Sequence, residues 1–97
     1  MQPRRESGVR VTNASDRVAR VYVEPWGFDF AVAPQDWLDI ESEGASEEFR
    51  FDVTFDGEDR HHAGAASISV CYTGSCRCVI VLMPDGRRKR FGWAVET

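Results

Sequence analysis

The chain has 97 residues, which allows one domain and one core but little spare volume for a deep internal pocket. Hydrophobic residues make up 42% and charged residues 29%, which excludes wholesale disorder. The formal charge of −4 excludes a nucleic-acid binder of basic overall charge, though not a local basic patch.

The N-terminal run Met1-Gln2-Pro3-Arg4-Arg5-Glu6-Ser7 has no hydrophobic stretch behind its arginines, so no signal peptide is expected. Residues 1–7 read as a flexible tail, and residues 8–97 as the domain. From there the signal is alternation with period two. Val9-Arg10-Val11 begins it, and Asn13-Ala14-Ser15-Asp16 reads as a turn. In residues 17–24, Ala19, Val21 and Val23 fall on one face, and Val18, Arg20 and Tyr22 on the other. Glu24-Pro25-Trp26-Gly27 then reads as a built corner. Proline cannot donate to a ladder, glycine frees the backbone, and tryptophan needs a large burial site.

Phe28, Phe30 and Val32 alternate next, and Pro34-Gln35-Asp36 ends that run. Residues 37–42 alternate again, with Leu38 and Ile40 opposed to Trp37, Asp39 and Glu41. Residues 41–48 are polar and loop-like. Phe49, Phe51, Val53 and Phe55 give the cleanest alternation of the chain, closed by Asp56-Gly57. Residues 58–65 form a loop that carries His61-His62. Three further strands follow at residues 66–72, 76–83 and 87–95, joined by Thr73-Gly74-Ser75 and Pro84-Asp85-Gly86; Phe91, Trp93 and Val95 share a face of the last. Seven to eight short strands, with no helix-period segment, predict a single-domain antiparallel β-sandwich, with a small β-barrel as the alternative.

The corner and its flanks carry a resemblance. Val23-Glu24-Pro25-Trp26-Gly27, then Phe28-Asp29-Phe30-Ala31-Val32, then Pro34, resemble a strand–Glu-Pro-Trp-Gly–strand motif of small uncharacterised bacterial all-β proteins. The resemblance covers about residues 9–42. It implies a sandwich-like fold and carries no established activity, so it transfers no catalytic residue. This chain departs from the pattern at Gln35, where a glycine is expected after the proline.

Cys71, Cys76 and Cys78, with His61 and His62, are candidate metal ligands, because thiolates and imidazoles suit zinc or copper; Asp56, Glu58 and Asp59 offer calcium carboxylates, but without the EF-hand spacing or its Glu at position 12. If Gly74-Ser75 is a two-residue hairpin loop, Cys71 faces Cys78 and all three thiols share a face. If Thr73-Gly74-Ser75 is a three-residue loop, Cys76 and Cys78 join Ile80 and Leu82 on an apolar face. The second register buries more and is preferred. Only Cys71 and Cys76 have a zinc-type spacing, without a second such pair, so no metal or other cofactor is expected. An odd cysteine count fits a reducing compartment, and the cytoplasm is the expected location. His61 and His62 read as solvated loop residues. A general base would need an orienting carboxylate and a nucleophile, and no P-loop, Gly-x-Ser-x-Gly or dinucleotide fingerprint is present.

Charge is unevenly spread. Residues 39–59 hold nine acidic residues and one basic one, Arg50, for −8, so the rest of the chain carries +4. Arg87, Arg88, Lys89 and Arg90 form a basic run whose alternate members must face opposite ways on a strand. Its functional reading is an acidic partner, and its plainer one a charged edge that blocks aggregation. Trp37, beside Asp39 and Glu41, is a candidate interface anchor. The sequence therefore predicts a binding module, not an enzyme, that docks a protein partner or associates with itself. A metal or redox module built on the three cysteines is the alternative, and a small His-dependent enzyme a third. Nucleic acid and membrane are disfavoured as partners.

Overall fold

The structure is a computed structural model, and it describes residues 8–92. Trp93, Val95 and the expected N-terminal tail lie outside the described residues. Eight strands follow one another: β1 (Gly8–Thr12), β2 (Ala19–Val23), β3 (Phe28–Val32), β4 (Trp37–Glu43), β5 (Arg50–Glu58), β6 (Ala66–Thr73), β7 (Cys78–Leu82) and β8 (Arg88–Gly92). They form two four-stranded sheets, ordered β1-β4-β7-β8 and β3-β2-β6-β5. This is the β-sandwich read from the sequence. Five of its six ladders are antiparallel and one, β2 with β6, is parallel. Among the described residues no helix is long and apolar enough to cross a membrane.

Each sheet turns alternate residues into a shared core. Ala19, Val21 and Val23 of β2 are buried, as are Leu38 and Ile40 of β4 and Val79 and Val81 of β7. These β-branched and branched side chains suit a pleated surface covered on one side. The chain changes sheet between β1 and β2, β3 and β4, β4 and β5, and β6 and β7. Two of those links are sewn together by buried Asn13. Its Nδ2 donates to the carbonyls of Arg17 (2.8 Å) and Val32 (2.9 Å). The Gln35 N–H donates to the Asn13 carbonyl at 2.7 Å. Gln35 itself sits at φ 69°, the left-handed conformation that a glycine would fill most easily.

The Glu24-Pro25-Trp26-Gly27 corner is a tight β2–β3 turn. It has a cis Glu24–Pro25 bond, Gly27 at φ 76°, and a Gly27 N–H bond to the Val23 carbonyl of 2.9 Å. Trp26 is half-buried and packs against Tyr72 (6.1 Å between ring centroids) and Phe91 (5.7 Å). Phe28 and Phe30 of β3 also meet Phe91 of β8, at 5.1 and 6.3 Å. Along part of one lateral side of the sandwich, between β3 and β8, aromatic rings therefore cover Phe91, while Phe28 itself stays 55% exposed.

The expected hairpin around Gly74-Ser75 does not form, in either register. β6 pairs with β2 and β5, whereas β7 pairs with β4 and β8, so Thr73 to Arg77 crosses between sheets. The crossover is fastened to the segment after β4. Ser46 N–H donates to the Ser75 carbonyl (2.8 Å), Ser75 N–H to Ser46 Oγ (3.0 Å), and Arg77 N–H to the Glu43 carbonyl (2.8 Å). Gly74 is needed less for a hairpin turn than for close approach. A Cβ there would lie 2.7 Å from Phe49 Cα. The core face of β7 is also the reverse of the one preferred from sequence. Val79 and Val81 face the core, and Cys78 and Ile80 face outward yet stay buried, at 3% exposure each.

Candidate functional site

The three cysteines point to three different places. Cys71 is exposed on the outer face of its sheet, opposite Asp52. Cys76 lies in the crossover, packed against the core, and burial pushes its thiol pKa up. Cys78 is on the outer face of the other sheet, where its thiol donates to Glu43 (3.3 Å) and accepts from Arg90 Nη1 (3.2 Å). Burial is the main reason its pKa is raised, followed by the hydrogen bond to Glu43. None of the three forms a disulfide. Among the described residues no group of three or more His, Cys, Asp or Glu side chains could hold a metal ion. The hairpin that was to unite the thiols is absent, so the arrangement on which the metal or redox reading depended is not formed.

His62 does have a carboxylate. Its Nδ1 lies 2.8 Å from Asp59 Oδ2, the His61 N–H donates to the same oxygen (3.0 Å), and the Tyr22 hydroxyl donates to Oδ1 at 2.6 Å. The Asp59 side chain is only 2% exposed. The Tyr22 hydrogen bond first, then those from His62 and the His61 N–H, hold its carboxyl well below the ordinary carboxylate range. The same contact raises the Tyr22 hydroxyl pKa. Chemically this is a clamp that ties the loop after β5 to the outer face of β2. His61 and His62 are both exposed, and neither lines the two larger clefts of the molecule.

The charged candidates gather on one surface. Trp37, Asp39 and Glu41 lie on the outer face of β4, and Arg88 and Arg90 on the outer face of β8, with β7 between them. Arg10 of β1 stacks on Trp37 at 4.0 Å and grips Asp39 with two bonds, 2.7 and 2.9 Å long. Arg90 reaches Glu43 at 3.0 Å and Arg77 reaches it at 3.5 Å. Arg87 is held by Asp85 at 2.7 Å. Lys89 faces the other way, on the rim of a cleft of about 480 Å³ beside Met83 and Phe30. Asp39, Glu43 and Asp85 are thus each paired with an arginine on or beside this sheet.

β5 is different. Among the described residues it is the longest strand, nine residues, and only β6 pairs with it. Phe51, Val53 and Phe55 stand opposite Tyr72, Val70 and Ile68, so they share the core-facing side of the sheet. Phe51 is covered by Phe49 (5.0 Å between centroids) and Tyr72 (6.5 Å). Val53, however, is 47% exposed and Phe55 is 70% exposed, although Val70 beside them is buried. The reason is topological. Among the described residues the facing sheet ends on this side in β1, Gly8–Thr12. An open cleft of about 580 Å³ separates Phe55 and Ile68 from Thr12, Ala14 and Arg17.

The other edge strands, β1, β3 and β8, are five residues each, and β8 carries Arg88, Lys89 and Arg90. Short and charged edges resist pairing with other chains, whereas a long apolar one invites it. Asp56-Gly57 does not end β5, as the sequence suggested; it is a bulge inside the strand, with Gly57 at φ 93°. Nothing local in the sequence marks Val53 and Phe55 as open, because strict alternation is equally the mark of a covered strand. Compared with protein families, with curated proteins and with solved structures, the chain has no significant match.

Proposed function

We propose that this chain is a non-catalytic binding module, a bacterial cytoplasmic β-sandwich that docks protein through β5 and the open side beside it. The observation that carries the reading is the exposure of Val53 and Phe55 on the longest edge strand. An added strand gains main-chain hydrogen bonds along such an edge, while alternate side chains select the partner. Phe55 supplies a large apolar anchor next to a cleft that an incoming side chain can enter. The reading gives no catalytic or cofactor role to any residue, and it places the charge-paired face of β1, β4, β7 and β8 outside the docking surface.

The test is retention of proteins from an extract of the producing cell by the immobilised chain, against Val53→Lys and Phe55→Lys variants. Proteins held by the natural chain and lost from both variants are the expected result. Both substitutions replace exposed side chains, so thermal unfolding of each variant stays near that of the natural chain. Retention of the same proteins by all three, or of none by any, overturns the reading.

A further inference from the structure

The β5 edge is complementary to itself in one register. We infer that β5 pairs antiparallel with β5 of a second copy of this chain, about a two-fold axis through Val53. The inference rests on β5 being the docking edge. A two-fold interface uses the same patch on both subunits, so the strand must match its own reversal. With the axis on Val53, Val53 meets Val53 of the second copy, Phe51 meets Phe55, and Arg50 meets Asp56. On the other face Asp52 meets Thr54. Every apolar residue on the open side is thus opposite an apolar residue, and the outermost pair is oppositely charged.

Neighbouring registers are poorer. An axis on Thr54 sets Asp52 against Asp56, and an axis on Asp52 sets Glu48 against Asp56. Like charges directly opposite are destabilising. A slip by one residue puts the apolar side of one copy on the solvent side of the other. Arg50 is free to take part: its side chain is 74% exposed, and its intramolecular carboxylate, Asp52, is 4.0 Å away. Asp56 is held in place by the Ser69 hydroxyl, which donates to Oδ2 at 2.7 Å. The bulge between Phe55 and Gly57 ends the regular ladder, so self-pairing spans residues 51–55 with Arg50 and Asp56 as flanks. Pairing about Val53 makes one eight-stranded sheet with Phe51, Val53 and Phe55 of both copies in one apolar row.

Sedimentation equilibrium of the full chain, over a wide concentration range, tests the inference. A monomer–dimer equilibrium is expected. Arg50→Asp or Asp56→Arg weakens it about tenfold, since each replaces two attractive pairs by two repulsive ones. Arg50→Asp combined with Asp56→Arg restores it. In a Cys71→Ser background, Val53→Cys gives a covalent dimer on mild oxidation, because opposed Cα atoms of about 4.5–5.5 Å lie within disulfide span. A monomer at every concentration overturns self-pairing. Loss of the captured proteins with Phe55→Lys would still leave the docking reading standing in that case. A dimer indifferent to the charge reversals, or a double variant weaker than both single ones, overturns the register.

Discussion

The two lateral sides of this sandwich are built from similar residues and end differently. Between β3 and β8, Trp26, Phe28 and Phe30 gather round Phe91 and cover it, although Phe28 itself is 55% exposed and a cleft of about 480 Å³ opens beside Phe30 and Met83. Between β5 and β1, Phe55 and Val53 stand on the same kind of alternating strand, and nothing among the described residues covers them. The difference lies in what faces each strand across the sandwich. β3 has a large ring opposite it, whereas among the described residues β5 outruns a five-residue partner. Burial is thus decided by the facing sheet, and a strand's own pattern states only which side would be buried. A long apolar edge left in this condition is of the kind that invites pairing with another chain.

The comparison breaks or holds most sharply on one residue type. Phe91→Ala is expected to destabilise by about 3–5 kcal/mol, as for a buried phenylalanine, with Trp26→Ala at the lower end of that range. Phe55→Ala is expected to stay within about 0.5 kcal/mol, as for an exposed site. Urea unfolding at low protein concentration, where association contributes least, measures both. Equal losses would mean that the β5 side is closed in solution. A loss at Phe55 that grows with protein concentration would instead point to a second copy covering it.

Two glycines extend the comparison to the backbone. Gly74 and Gly57 share left-handed φ values, 86° and 93°, so an added Cβ strains both. At Gly74 the Cβ also meets Phe49 backbone atoms at 2.7 and 2.9 Å, whereas at Gly57 nothing lies within 4 Å. Gly57→Ala is expected to lower stability by about 1 kcal/mol, the strain alone. Gly74→Ala is expected to lower it by clearly more, because backbone must move. Thermal unfolding of the two variants side by side checks this. A Gly57 variant as damaged as the Gly74 one would show that the bulge is packed after all.

Most of the architecture was legible because alternation and turn chemistry agree along the chain. Ala19, Val21 and Val23 face inward as their spacing says, and Trp26 packs on the core as a costly residue in a turn should. Alternation was uninformative at β7. Cys78, Val79, Ile80 and Val81 are apolar and all buried, so either face could be the core face, and the sequence-preferred one was reversed. The missing hairpin has the same origin. A Gly-Ser pair between two apolar runs looks alike whether the runs share a sheet or face one another across the sandwich. The candidate site was least legible, since the exposure of Phe55 depends on what faces it across the sandwich, set by residues some forty positions earlier in the chain. Asp59 likewise shows nothing locally of its bond to Tyr22.

That bond yields the smallest expected effect and bears on how the open edge is held. β5 lacks cover at Val53 and Phe55, yet the loop that follows it is tied down where Asp59 accepts from Tyr22, His61 and His62. The folded carboxyl has a depressed pKa, with the Tyr22 hydroxyl as the first cause. As pH falls, the unfolded chain therefore takes up this proton before the folded one does. The stabilisation is fully present above the unfolded value of about 3.9, and it is lost as pH falls below that toward the lower folded value. Asp59→Asn removes the titration and Tyr22→Phe removes its first cause. Both variants should lose less stability than the natural chain between pH 5 and pH 3, measured as the fall in unfolding midpoint. Other depressed carboxylates, Asp39, Glu43 and Asp85, contribute equally to all three proteins and cancel in the difference. Parallel curves for the three would mean that Asp59 is not clamped in solution, and that β5 is loose at its end as well as open at Val53 and Phe55.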